Sequence, residues 1–77
     1  MLPKWLEKEA KWLIPEIQDE HKWVFRSAFY SDVDEVPCIY CQTTFLPVHR
    51  FTPDEGEQFF GVSYCSQCKR VYWFELV

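Results

Sequence analysis

The sequence predicts an α+β fold, in which an N-terminal helical segment packs on a small antiparallel β-sheet. Apolar residues recur at helical spacing in residues 2–13, and short runs of aromatic and β-branched residues follow from Phe45 onward, flanked by two Cys-x-x-Cys pairs. With 48% hydrophobic and 19% aromatic residues, the chain has too much apolar surface to remain disordered. We therefore expect a folded domain with one helical part and one β part.

The first expected element is an amphipathic helix over residues 2–13. Pro3 suits the first helical turn, where its missing N–H costs no hydrogen bond. Two Trp-Leu pairs lie seven residues apart and are predicted to share one apolar face, namely Trp5, Leu6, Trp12 and Leu13.

Pro15 interrupts this helix because it lacks an N–H and restricts Ile14 before it. Proline also suits the first turn of a new helix, so we expect a second helical segment from Pro15 to about Phe25. Residues 23–30, WVFRSAFY, are rich in strand-forming residues as well, so helix and strand both stay open there.

The chain divides into three parts that we expect to form one compact domain. Residues 1–30 form the helical segment, residues 31–37 a polar connector, and residues 38–77 a module that contains all the cysteines.

Within that module the pattern predicts a hairpin between the two cysteine pairs. Residues 43–51 and 59–64 are its strands, residues 52–58 its turn, and residues 69–77 form a closing strand.

The four cysteines predict a metal site. Their spacing is Cys-x₂-Cys-x₂₃-Cys-x₂-Cys, so each pair can turn both sulfurs toward one ion, and a hairpin between the pairs brings the two turns together. We expect one structural Zn²⁺, bound by Cys38, Cys41, Cys65 and Cys68.

The compartment supports this expectation. The first residues mix charged and apolar side chains throughout, so they resemble neither a signal peptide nor a membrane span. We expect a cytoplasmic protein with no membrane segment, and thiols stay reduced in the cytoplasm.

Other uses of the cysteines stay open. The alternatives are that the cysteines are buried thiols or form disulfides, that one pair is redox-active, or that the four bind a rubredoxin-like iron centre that carries electrons. A redox pair normally opens a helix, whereas both pairs here lie between predicted strands.

The order of elements resembles the zinc-ribbon fold group, with a knuckle at CIYC, a hairpin, a second knuckle at CSQC and a closing strand. The resemblance covers about residues 36–77 and concerns the fold and not one functional family. Knuckles in that group often have a glycine or small residue after the second cysteine, where this chain has Gln42 and Lys69. The resemblance implies a role on transcription machinery, where zinc ribbons recur.

The charge balance argues against direct binding of nucleic acid. Eight Lys/Arg against twelve Asp/Glu give a formal charge of −4, and phosphate binding relies on clustered cations. A nucleic-acid interface stays as the alternative, built from Arg50, Lys69 and Arg70 with stacking from Phe51, Tyr72 or Trp73.

We expect no enzymatic activity. Four cysteine ligands leave a tetrahedral ion no position for a reactive water. Gly56 and Gly61 are too few for a phosphate-binding loop, and His21 and His49 have no partner at a ligand spacing, so we expect structural roles for both histidines.

The aromatic surplus predicts a shared core and an exposed contact surface. We expect aromatic residues of the helical segment to meet those of the sheet in one core: Trp5, Trp12, Trp23, Phe25 and Phe29 with Phe45, Phe59, Tyr72 and Phe74. Part of the set is expected to face a partner or a second copy of the chain. The candidate contact residues are Trp5 and Trp12, with acidic residues that would steer the domain to a basic surface: Asp32, Asp34, Glu35, Asp54, Glu55 and Glu57.

These features predict a small zinc-binding module that acts by protein–protein contact, as a regulator or inhibitor of a nucleic-acid-processing machine such as transcription. The expected partner is a protein with a basic surface, and a homodimer is a further option.

Overall fold

The computed structural model describes residues 2–42, 44–53 and 58–77. Along the chain these residues form one helix and six strands: α1 (Lys4–Leu13), β1 (Lys22–Phe25), β2 (Glu35–Pro37), β3 (Phe45–Pro47), β4 (His49–Phe51), β5 (Phe59–Cys65) and β6 (Arg70–Leu76). The α+β class predicted from the sequence is confirmed.

Helix α1 packs on the sheet through a face that differs from the predicted one. Its buried residues are Leu6 and Ala10, four apart on one side of the helix. Trp12 lies two positions beyond Ala10, about 200° further round the helix, and its side chain is 87% exposed. The predicted shared face was therefore wrong for Trp12, and Leu13 is exposed as well.

The second predicted helix does not form. The chain makes two tight turns, in which Ile17 N–H donates to the carbonyl of Ile14 and His21 N–H donates to that of Gln18. The chain then enters β1, so the strand alternative is correct for Trp23 to Phe25. Pro15 ends the first helix, and the β-branched and aromatic residues that follow gain more from pairing with a strand than from a short isolated helix.

The main sheet has the strand order β1-β6-β5-β4 and is mixed, not purely antiparallel. Strand β5 pairs antiparallel with β4 on one side and with β6 on the other, from Phe59↔Leu76 to Cys65↔Arg70. Only the end of the predicted hairpin strand 43–51 pairs with β5, because β3 pairs with β2 instead, and residues 54–57 of the predicted turn lie outside the described residues. A second difference from the prediction is β1, which joins the sheet parallel to β6, with Trp23 opposite Val71. A strand from the N-terminal part therefore completes the sheet.

A second, two-stranded sheet lies within and beyond the predicted connector. Strand β2 pairs antiparallel with β3, with Val36 opposite Leu46 at the centre. These two residues are buried, whereas the residues on either side of each are exposed.

Aromatic and aliphatic side chains form two cores, one on each face of the main sheet. Strand β6 supplies both because its side chains alternate: Val71 and Trp73 pack toward α1, whereas Tyr72 and Phe74 pack toward the cysteines. The prediction of a single aromatic core is therefore wrong. Trp12, Phe25, Phe45 and Phe59 are exposed.

Gly61 allows one of these cores to close. It lies opposite Phe74 in the register of β5 and β6, and a Cβ atom at this position would overlap the Phe74 ring. The glycine is therefore required by the close approach of the ring.

Among the described residues, no helix combines the length and the apolarity needed to cross a membrane.

Candidate metal centre

The first knuckle begins where β2 ends, at Cys38. The backbone N–H of Cys38 donates to the carbonyl of Thr44 at 2.9 Å, which extends the β2–β3 ladder into the knuckle. Gln42 N–H then donates to the carbonyl of Cys38 at 2.8 Å and closes the turn. Within the turn, Cys41 N–H points at the Cys38 sulfur, 3.4 Å away.

The second knuckle connects β5 to β6. Cys65 is the last residue of β5, and the backbone N–H groups of Gln67 and Cys68 hydrogen-bond to its sulfur. Both knuckles thus direct main-chain donors at their first cysteine, as a thiolate requires.

Both knuckles end in a left-handed residue. Gln42 has φ 63° and Lys69 has φ 59°, and these are the positive-φ residues other than glycine in the described chain. They occupy the positions where zinc ribbons often have glycine. A left-handed conformation at a residue with a side chain costs about 1 kcal/mol or more at each position.

The knuckles bring the four sulfurs together as the spacing predicts. All four Sγ atoms lie within 4.8 Å of one another. Cys38 and Cys68 are separated by 3.6 Å, and Cys41 and Cys65 by 3.7 Å. A tetrahedral ion with metal–sulfur bonds of about 2.3 Å needs sulfur–sulfur edges of about 3.8 Å, whereas a disulfide needs about 2.0 Å. The donor set fits a single metal ion in size and in chemistry.

The thiol groups of the cluster differ in pKa. Burial raises the pKa of the Cys38 thiol, but hydrogen bonds from the Tyr72 hydroxyl and from the backbone N–H groups of Cys41 and Tyr40 outweigh it and lower the pKa to about 6. The hydrogen bond with Cys65, followed by burial, raises the pKa of Cys41 to about 12. Burial also raises the pKa of Cys65. In the folded chain, Cys38 is thus the most acidic of these three thiols.

Tyr72 supports the centre through its hydroxyl group, a role that was not predicted from the sequence. Its ring is fully buried, and its hydroxyl lies 3.1 Å from the Cys38 sulfur and 3.9 Å from that of Cys68. Burial, followed by the hydrogen bond with Cys38, raises the pKa of Tyr72, so the hydroxyl keeps its proton and donates it to the sulfur. Tyr72 lies four residues after Cys68 in β6, where side chains alternate between the two faces of the sheet. This spacing could have indicated that Tyr72 faces the cysteines.

Arg70 joins the two knuckles at the surface. Its guanidinium hydrogen-bonds to the Cys68 sulfur, which raises the pKa of the guanidinium. It also stacks on the ring of Tyr40, 3.7 Å from the ring centroid. One cation therefore contacts the first knuckle through an aromatic ring and the second through a sulfur.

The two histidines lie outside the sulfur cluster. His21 is buried, and its Nδ1 accepts a hydrogen bond from the backbone N–H of Gln18 at 2.6 Å. Its Nε2 therefore carries the proton and lies 3.3 Å from the Tyr64 hydroxyl. This histidine fixes the turn before β1, as its expected structural role requires.

The predicted contact residues are scattered over the fold. Trp5 is partly buried and packs edge-on against Phe60, with ring centroids 5.6 Å apart, whereas Trp12 is exposed at the other end of α1. The acidic residues of the connector and of β2 are exposed: Asp32, Asp34 and Glu35. Asp54, Glu55 and Glu57 lie outside the described residues.

The aromatic side chains of the alternative nucleic-acid interface are not accessible for stacking on bases. Phe51, Tyr72 and Trp73 are all buried in the two cores. Arg50 donates to the carbonyls of Ser31 and Val33 and to the Asp34 carboxylate. These side chains are used inside the fold.

Composition did not show which apolar side chains would reach the surface near the sulfurs. Phe45 is 63% exposed, Tyr40 57% and Ile39 45%. They lie on β3 and on the first knuckle, so they share the end of the molecule that holds the centre.

Comparison with known proteins gave no match to a protein-family model, to a curated protein or to a solved structure.

Proposed function

We propose that this chain is a small zinc-binding module whose single structural Zn²⁺ is held by Cys38, Cys41, Cys65 and Cys68. The observation that supports the proposal is the sulfur cluster, with edges of 3.6 and 3.7 Å and all atoms within 4.8 Å. Four thiolates are a preferred ligand set for zinc, and closed sites of this kind stabilise the fold by about 10 kcal/mol or more. The ion joins β2 to the end of β5, which are far apart in sequence.

The module acts by contact with another protein, as a regulator or inhibitor of a nucleic-acid-processing machine such as transcription. The zinc-ribbon resemblance supports this role by analogy of fold. An acidic chain of formal charge −4 also suits a partner with a basic surface. We expect no catalysis, because four protein ligands leave no open position on the ion.

A rubredoxin-like iron centre is the second candidate, since four thiolates also bind iron. The hydrogen bonds to Cys38 and Cys65 would serve either ion. Colour separates the two, because a ferric tetrathiolate absorbs visible light and zinc does not.

The test is native mass spectrometry of the purified chain together with elemental analysis. We expect one zinc per chain, a colourless sample, and loss of the folded state on removal of zinc by a chelator. Cys65→Ser should lose the metal, whereas Ser66→Ala in the same knuckle should keep it. An apo chain that stays folded would refute the structural role of the metal, and a full complement of iron would refute the zinc assignment.

The contact role has its own test. Titration with single-stranded and duplex nucleic acid at low salt should show no binding, because Arg50, Arg70 and the rings of the alternative interface are engaged in the fold. Tight, salt-sensitive binding would instead favour the nucleic-acid alternative.

A further inference from the structure

The outer β2–β3 face is an exposed apolar surface beside the metal centre. It consists of Glu35, Pro37, Phe45 and Pro47, which are cross-strand pairs with every member exposed. The opposite side of the same two strands is buried through Val36 and Leu46. Phe45 is 63% exposed on this face, with Pro37 opposite it and Pro47 two positions further along its own strand.

Prolines restrict how a partner can approach these strands. Pro37 and Pro47 lack the N–H that an added strand would need, one on each strand of the pair. Strand addition at these positions is disfavoured, so a partner is expected to dock on the face.

The four residues of the face carry a single charge, the negative charge of Glu35. Glu35 lies on it, and Asp32 and Asp34 lie just before it. The neighbouring cations are engaged internally: Arg26 donates to the carbonyl of Pro37, and Arg50 donates to two main-chain carbonyls and to Asp34. Within the described part of the chain, neither Asp32 nor Glu35 forms an ion pair.

We infer that the outer β2–β3 face docks a protein segment with an apolar side chain flanked by lysine or arginine. Phe45 and the two prolines supply the apolar contact, and Glu35 and Asp32 supply the charge that selects a basic segment. A second copy of this chain is disfavoured as the occupant, because it would bring the same carboxylates against each other. This inference deepens the proposed function by naming the surface and the chemistry of its partner.

The face also depends on the centre. Cys38 directly follows Pro37, and its N–H extends the strand ladder to Thr44. Loss of metal should therefore weaken docking without any change in the residues of the face.

The experiment selects random peptides from a display library on the immobilised, metal-loaded chain and measures their affinities in solution. We expect the selected peptides to carry an apolar residue next to lysine or arginine. Phe45→Ser should weaken their binding about tenfold or more, whereas Trp12→Ser, at an equally exposed aromatic residue, should not.

Charge reversal gives a second pair of variants. Glu35→Lys should also weaken binding about tenfold, whereas Glu16→Lys, which changes the net charge equally at an exposed site away from the face, should have a much smaller effect. Metal content is measured for every variant. A wild-type chain without metal would refute the proposed zinc module itself.

With metal present, several outcomes would overturn the docking inference alone. They are selection of acidic or uncharged peptides, equal binding by the Phe45→Ser variant, Phe45-dependent self-association, or no enrichment of any peptide.

Discussion

Gln42 and Lys69 share one backbone conformation, at φ 63° and 59°, each directly after the second cysteine of its knuckle. The two turns are thus equivalent in shape although neither has the glycine that suits this conformation. The missing glycines are visible in the sequence, but a residue type alone does not reveal that the backbone adopts the left-handed conformation without them.

Replacement of these residues by glycine should stabilise the protein. Gln42→Gly and Lys69→Gly each remove the left-handed penalty of about 1–2 kcal/mol but raise the entropy of the unfolded chain, so we expect a net gain of about 0.5–1 kcal/mol each. Chemical denaturation of the metal-loaded chain measures it. Gln67→Gly in the same knuckle, at a residue without positive φ, should give no gain, and an equal gain there would contradict the explanation.

Removal of the Tyr72 hydroxyl should weaken metal binding while the fold is kept. Tyr72→Phe keeps the buried ring but leaves Cys38 without its side-chain donor, 3.1 Å away. Loss of such a supporting hydrogen bond typically reduces metal affinity about 10-fold to 100-fold. Competition with a chromophoric chelator gives the affinity. Tyr64→Phe, whose hydroxyl contacts His21 in the other core, is the matched control and should bind metal as the wild type does.

Metal affinity should fall steeply as the pH is lowered. The raised pKa of Cys41, about 12, and that of Cys65 mean that metal must displace at least these two protons at neutral pH. Each displaced proton costs about tenfold in affinity per pH unit, so we expect a loss of at least about 100-fold per unit near pH 7.

Below pH 6 the Cys38 thiolate also takes up a proton, because its pKa is about 6, and the loss becomes steeper. Affinities measured at several pH values give the direction and slope of the pH dependence. Proton release measured in buffers of different ionisation enthalpy gives the number of protons that the metal displaces. A flat profile would mean that the thiols are already ionised in the metal-free chain.

A methyl group at Gly61 should destabilise the sheet. Gly61→Ala places a Cβ against the Phe74 ring, and overpacking of this kind costs about 1–3 kcal/mol. Thermal or chemical unfolding measures the loss. The double variant with Phe74→Leu removes the overlapping ring atoms, so the added cost of Gly61→Ala should be smaller in that background. An unchanged cost would place its origin elsewhere.

The corrected helix face gives the last prediction. Leu6→Ala removes a fully buried side chain between α1 and the sheet and should cost about 2–5 kcal/mol. Trp12→Ala removes a larger side chain that is mostly exposed, and it should cost less than about 1 kcal/mol. A comparable loss from both would show that Trp12 is covered in solution.

Local patterns predicted much of this molecule. The cysteine pairs, the β4–β5 hairpin and strand β6 could all be located from the sequence, because each depends on neighbouring residues or on a loop of ordinary length. The sulfur cluster follows from the same local rules, since a hairpin must return the second knuckle beside the first.

Long-range pairing could not be predicted in the same way. The segment WVF fits a helix or a strand. Trp23 becomes part of a parallel strand because β6 has an edge that β5 does not occupy and with which β1 can pair. The burial of Tyr72 below Cys38 likewise depends on which side of β6 faces the knuckles. A single sequence does not contain that information in any short window.

The central position of β6 has a consequence for how the chain acquires its structure. Strand β1 comes early in the chain, yet its partner β6 is the last of the six described strands in chain order. Helix α1, β1 and the first knuckle must therefore wait, with much of their apolar surface in water, until residues 70–76 become available. During that interval a nascent chain offers its thiols and several unpaired aromatic residues to chaperones, to other nascent chains and to metal ions, so rapid completion of β6 protects it from aggregation.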